Sequence, residues 1–199
     1  MLGFPKATEI NKQLPKKAIY LKFQMNNNEK EKIDEDISKV IITNELSAER
    51  TNFEAGENIK SFFVLHILLK RKNYKEKTIV TLSKIISQNI LFVLEYEGEY
   101  RLAIYHTKLI QTEWEKEVKT IELKGLKLES VWENIITQIG NIKVEEGRTL
   151  AEQIESNDEK EKLLQEIFRL EKQARAEIQP RKKYDLVQKI NKLKREVDK

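Results

Sequence analysis

Apolar residues recur at Leu128, Val131, Trp132, Ile135, Ile136 and Ile139, in steps of three, one, three, one and three. That spacing gathers them on one face and predicts an amphipathic helix over Leu128–Ile139, with Gly140 placed as its C-terminal cap. Ile79, Leu82, Ile85 and Ile86 predict another helix over Lys75–Ser87 in the same way. The β-branched run Val40–Thr43 predicts a strand. In Ile59–Lys70, Ile59, Phe63, Leu65, Ile67 and Leu69 point one way, and Phe62, Val64, His66 and Leu68 the other. Both faces are apolar, which predicts a strand near the middle of a sheet and covered on both sides. The loop Ser47–Asn58, with Gly56 in it, separates these two strands. Ile90–Leu94 predicts a buried strand, Glu97-Gly98 a tight turn, Tyr100–His106 the hairpin partner and Lys116–Leu123 a further strand. Ahead of all these, Thr8–Gln13 predicts a short helix capped by Thr8, and Glu29–Asp36 a charged helix. The order ββαβββα predicts an α+β fold, a mixed or mainly antiparallel sheet with packed helices.

The pattern changes after residue 145. Ser156 and Glu159 match a capping box. Leu163, Ile167, Leu170, Ala174 and Ile178 then follow at steps of four, three, four and four, and Leu186, Ile190, Leu193 and Val197 at four, three and four. Pro180 stands between the two stripes. It removes a backbone donor, restricts Gln179 and suits the first position of a new helix. Residues 146–199 are thus expected to form a coiled-coil-like helical hairpin beside a body of residues 1–145, a single kinked helix being the alternative. Leu164, Phe168, Tyr184 and Val187 fall off both seams. Cover from the body, a second copy or a partner is expected for them.

Composition narrows the chemistry. Charged residues make up 35% of the chain and hydrophobic ones 39%, enough for one real core. There is no cysteine, which excludes disulfides, thiolate metal sites and a cysteine nucleophile. The N-terminal residues lack a signal-peptide pattern, and the longest apolar run, Phe62–Leu69, is far short of a membrane span. A cytoplasmic location is expected. The net charge is +4, yet Arg181–Lys199 alone holds eight basic residues against three acidic ones. The positive surplus belongs to the tail. At 100° per residue Arg181, Lys192, Arg195 and Lys199 share the side away from the apolar seam. Lys182 and Lys183 join Arg181 at the helix start, where the dipole disfavours cations by up to about 1 kcal/mol. These residues are candidates for contact with nucleic acid or an acidic protein surface, against the plainer reading of a solvated face.

Phosphate loops, HExxH, nucleophile elbows and EF-hand spacings do not occur, and with two histidines a zinc site is not expected. Glu122-Leu123-Lys124, on a predicted strand, has the E-x-K form of Mg²⁺-dependent nucleases, with Glu95, Glu97 and Glu99 as nearest candidates for the second acid. Such a triplet arises easily by chance in a chain this rich in Glu and Lys. His66 reads as a buried histidine with one satisfied ring nitrogen, and His106 as a strand-end residue without evident partner. Trp132 reads as core, and Trp114 as an exposed candidate interface anchor. No cofactor, resident metal or catalytic residue is assigned.

Leu2-Gly3-Phe4-Pro5-Lys6-Ala7-Thr8-Glu9-Ile10-Asn11-Lys12 near the start, with Leu170-Glu171-Lys172-Gln173-Ala174-Arg175-Ala176-Glu177 and Arg181-Lys182-Lys183-Tyr184 near the end, resembles a family of bacterial and archaeal proteins known only as a domain of unknown function, family 4391. Ile90–Glu95 followed by a hairpin fits the same pattern, so the likeness covers nearly the whole chain. The resemblance implies genes beside helicases and DNA methyltransferases in restriction-like or phage-defence clusters, and carries over no catalytic residue. The resulting expectation is a non-catalytic adaptor with a helicase or DNA methyltransferase partner. Direct nucleic-acid binding and a Mg²⁺-dependent nuclease are the alternatives, and self-association stays open.

Overall fold

Strands pair in their sequence order to build one six-stranded mixed sheet in the computed structural model, which describes residues 2–197. They are β1 (Glu9–Leu14), β2 (Ile37–Ser47), β3 (Ser61–Leu69), β4 (Asn89–Tyr96), β5 (Glu99–Tyr105) and β6 (Leu109–Gln111). Every neighbouring pair is antiparallel except β3 and β4, which run parallel because α3 (Glu76–Ile85) carries the chain back between them. Two helices, α1 (Lys16–Lys22) and α2 (Asn27–Asp36), lie between β1 and β2. The fold is α+β. Clustering of contacts divides the chain into two compact units, Met1–Ile142 and Lys143–Lys199.

The alternation of apolar residues along β3 explains why this sheet is buried on both sides. Leu65, Ile67 and Leu69 join Val40, Phe92, Leu94, Ile33, Ile79 and Leu82 in one core beneath α1, α2 and α3. Phe62, Val64, Leu91, Val93, Leu102 and Ile104 are buried on the opposite face. There α4 (Leu128–Gly140) sets all six residues of its predicted stripe into the core, and the Trp132 ring lies 5.0 Å from that of Phe62. Asn26 and Glu29 cap α2 reciprocally, with hydrogen bonds of 2.9 and 3.0 Å.

Three local expectations are corrected. Thr8–Gln13 is not a helix. Lys6–Thr8 forms one 3-10 turn, and the chain then continues as edge strand β1. Asn11, at φ 50°, interrupts the register with β2, so the two-residue alternation that marks a strand is broken there. Lys116–Leu123 is not a strand, and its place on the sheet edge is taken by β6, three residues long. The Gln138 side chain bonds both the N–H and the C=O of Glu122, at 3.0 and 2.7 Å, replacing a neighbouring strand with one amide. Gly140 is the last residue of α4, and Asn141 takes the left-handed capping position at φ 48°. A Cβ on Gly140 would stand 2.7 Å from the Ile142 side chain, so packing asks for glycine there. Glu97 and Gly98, at φ 49° and 79°, do make the predicted turn between β4 and β5.

The loop before β3 is fastened by Glu129. Its carboxylate accepts hydrogen bonds from the N–H groups of Ile59, at 3.0 Å, and Asn58, which hold it below the usual carboxylate range despite some desolvation. A Cβ on Gly56 would collide with that carboxylate, which accounts for the one glycine in this loop.

Candidate interaction surface

The candidate surface is a helical hairpin, α5 (Leu150–Ala176) and α6 (Pro180–Val197). The expected start at Ser156 is corrected, since Ser156 lies inside α5. Thr149 and Glu152 form the capping box instead, with Thr149 N–H to Glu152 at 2.8 Å and Glu152 N–H to Thr149 Oγ1 at 3.3 Å. Both S/T-x-x-E spacings are present in sequence, and the upstream one prevails because Leu150 and Ile154 are also buried helical positions. Thr149→Ala removes an acceptor from the first turn and is expected to lower the stability of this unit by about 1 kcal/mol. Loss of helical circular dichroism at a lower temperature than in the native chain would register it.

Pro180 acts as anticipated. The Gln179 carbonyl accepts the Lys183 N–H at 3.0 Å, which makes Pro180 the first residue of α6, where its missing N–H costs nothing. Three residues, 177–179, join the helices, and so short a link brings the chain straight back. Ile167, Leu170, Ala174 and Ile190 are buried in the seam, with Leu186, Leu193 and Val197 packed against them. Ile178 departs from the expected seam. It sits in the link, 93% exposed, because α5 has already ended. One ion pair crosses each side of the seam, Lys194–Glu171 at 2.7 Å and Lys189–Glu166 at 3.8 Å. Exposed pairs of this kind each contribute well under about 1 kcal/mol and chiefly fix register.

Of the off-seam apolar residues, Leu164, Phe168 and Val187 face one flank by helix spacing, while Tyr184 stands nearer the side of Arg195. Leu164, Phe168, Glu171 and Arg175 follow one another at four, three and four along α5, a single row on a helix surface. On α6, Val187 lies four residues beyond Lys183, seven before Lys194 and three beyond Tyr184. A shallow groove of ≈ 370 Å³ runs between these rows, lined in part by Glu171, Arg175, Lys183, Val187 and Lys194. Phe168 is 70% exposed, Tyr184 62%, Leu164 53% and Val187 40%. Four large apolar side chains of the hairpin thus stand in water.

Arg181, Lys182, Lys183, Lys192 and Arg195 are all exposed. Among the described residues none of the five forms an ion pair, whereas Lys189 and Lys194 do. Arg181, Lys192 and Arg195 share the side away from Ile190, while Lys182 and Lys183 line the grooves on opposite sides of the seam. Lys199, the remaining member of the anticipated stripe, lies outside the described residues. The surface therefore has two chemistries, an apolar flank and a free cationic ridge.

The other candidates resolve differently. Glu122 and Lys124 lie on an exposed loop and pair with each other. Glu95 is engaged by His66, whose Nε2 is 2.6 Å from its Oε2, and Glu99 by Lys72. The E-x-K triplet is thus not on a strand. Among the described residues no group of three His, Asp or Glu side chains could hold a metal ion. His106 is exposed beyond β5, with its N–H bonded to the Lys108 carbonyl. Trp114 is half-buried rather than exposed. Its ring meets the edge of Tyr74 at 6.4 Å and lies under the Arg101 guanidinium at 5.0 Å.

One site was invisible in the sequence. Asp36 has no solvent exposure and accepts from Arg71 Nε at 2.6 Å, Lys75 N–H at 3.0 Å and Thr78 Oγ1 at 2.7 Å. Burial alone would raise its pKa, but the three donors outweigh burial and hold the carboxyl below its usual range. The carboxylate therefore occupies the N-terminus of α3, and the basic run Lys70–Lys75 serves the fold there.

An α+β body and a C-terminal helical hairpin make up the described chain. The chain belongs to the family described as a domain of unknown function, DUF4391, whose model matches residues 2–197. Neither a search of curated proteins nor one of solved structures returned a match. Among the described residues no helix is long and apolar enough to cross a membrane.

Proposed function

We propose that this chain is a non-catalytic adaptor whose C-terminal hairpin docks a protein partner. The observation that carries this reading is the exposure of Leu164, Phe168, Val187 and Tyr184 on the hairpin, the first three toward one flank. Large apolar side chains grouped on one flank in this way are a recurrent mark of partner contact. The partner class is a helicase or DNA methyltransferase, as the family resemblance implies. A benzophenone side chain placed at position 168 is expected to crosslink a partner protein in the native host, while the same group at Gln173, exposed in the groove on the other side of the seam, captures none. A silent position 168 would end this reading, and an adduct with the chain itself would make the partner a second copy.

A second reading, contact with nucleic acid, is favoured by five exposed cations of α6 that form no ion pair among the described residues. If they bind a phosphate backbone, affinity falls steeply with salt. Arg181→Glu, Lys192→Glu and Arg195→Glu together should then abolish a mobility shift with duplex or single-stranded DNA or RNA at low salt. A native chain that shifts none of these probes under those conditions has no such activity.

A further inference from the structure

The helices of the body leave part of one sheet face without a roof. Gln24, at φ 48°, turns the chain just after α1, and α3 stops at Ile85. Between them the lower halves of β2, β3 and β4 form the floor of a cleft of ≈ 230 Å³. Ile42, Phe63, Leu65 and Ile90 line that floor, and Leu14 and Phe23 line its sides. Leu65 and Ile90 are fully covered, while Ile42, Phe63, Leu14 and Phe23 remain half-exposed. Only two of the lining residues are polar, Lys22 and Gln88, and both are exposed. No acidic residue lines the cleft. Lys22 rests 5.5 Å from the Phe23 ring centroid and forms no ion pair among the described residues.

We propose that this cleft is a binding site for a small amphipathic carboxylate, a short fatty acid in chemical class. The apolar tail would lie on Ile42, Phe63, Leu65 and Ile90. The carboxylate would meet the Lys22 ammonium, which rests on the Phe23 ring and has no ion pair among the described residues, and the Gln88 amide. Charge complementarity selects an anion: one unpaired cation borders an otherwise apolar cleft that contains no carboxylate of its own. Size selects a small molecule, since the volume lies below that of pockets holding drug-sized ligands. This site is separate from the adaptor reading, and its failure leaves that reading untouched.

The test is a titration of the full chain with octanoate, followed by backbone amide chemical shifts, with 1-octanol as the uncharged control. Expected are saturating shifts centred on Ala18, Phe23, Ile42 and Phe63, and about tenfold weaker binding of octanol. Lys22→Glu should weaken octanoate about tenfold and leave octanol unchanged. Ala18→Trp, a change at an exposed helix position on the rim, should block both ligands while circular dichroism stays native. Shifts that do not saturate, that fall elsewhere, or that survive Ala18→Trp would overturn the site. Equal affinity for octanoate and octanol, or indifference to Lys22→Glu, would overturn the carboxylate assignment.

Discussion

Trp132→Ala is expected to destabilise the body by about 4 kcal/mol, the range for deleting a large aromatic from a packed core. Trp132 is 3% exposed and joins Leu128, Val131, Ile135, Ile136 and Ile139 in fixing α4 to the sheet. Its ring tilts 46° against that of Phe62, so truncation removes an aromatic pair as well as apolar area. The cavity would open between α4 and the start of β3, at Phe62. Urea denaturation measures the effect as a lower midpoint at unchanged slope. A double-mutant cycle with Phe62→Ala should return about 1 kcal/mol of coupling. A loss below about 2 kcal/mol for Trp132→Ala would mean that α4 is held chiefly by something else.

Asp36 is expected to carry the second large effect, with a pH signature. Asp36→Ala leaves the Lys75 N–H and the Thr78 hydroxyl without their acceptor, and each was paired in a site closed to solvent. The expected cost is about 3 kcal/mol at neutral pH. Arg71, 43% exposed, can turn to water when its partner is lost, which keeps the cost from rising further. The sign with pH follows from the depressed carboxyl. In the unfolded chain Asp36 titrates near its usual value of 3.8, and in the folded chain below it. The folded state therefore binds the proton less readily, so stability from this group is complete above that usual value. It declines as pH falls through the lower folded value. Asp36→Asn should remove this component, so the stability gap between native and variant chains narrows on acidification. Asp34 and Glu35 are also held low, chiefly by Lys16 and Lys75 respectively, and add to the acid sensitivity of both chains equally. A gap that stays constant from neutral pH to pH values near 3 would show that Asp36 is not bound as an anion.

Elements with strong periodicity were legible before any coordinates. The α4 stripe, the two-faced apolar β3 and the paired stripes around Pro180 each state their partner face in the order of side chains. What escaped was local or borrowed. β1 hides behind its irregularity at Asn11, and β6 is too short to show a period. The segment around Glu122 alternates like a strand, yet an amide side chain from α4 satisfies its backbone. Asp36 gave no signal because its burial depends on Arg71, Lys75 and Thr78, some forty residues away along the chain. For the hairpin, sequence named the off-seam residues and the basic ridge. Only the structure shows that the apolar four are exposed, that the cations lack carboxylate partners among the described residues and that Lys182 and Lys183 part to opposite grooves.

Adaptor and nucleic-acid binder use different parts of one hairpin, and this makes them separable by charge and by apolar contact. The most direct measurement is co-purification of the tagged full-length chain from its native host. Leu164→Glu/Phe168→Glu and Arg181→Glu/Lys192→Glu/Arg195→Glu would be run beside it after nuclease treatment. All five positions of change are exposed and free of the seam, so the hairpin itself should persist in both variants. The expected result is one protein partner that accompanies the native chain and the charge variant and is lost from the apolar variant. A partner retained by the apolar variant, or one that disappears whenever nucleic acid is digested, would contradict docking through that flank.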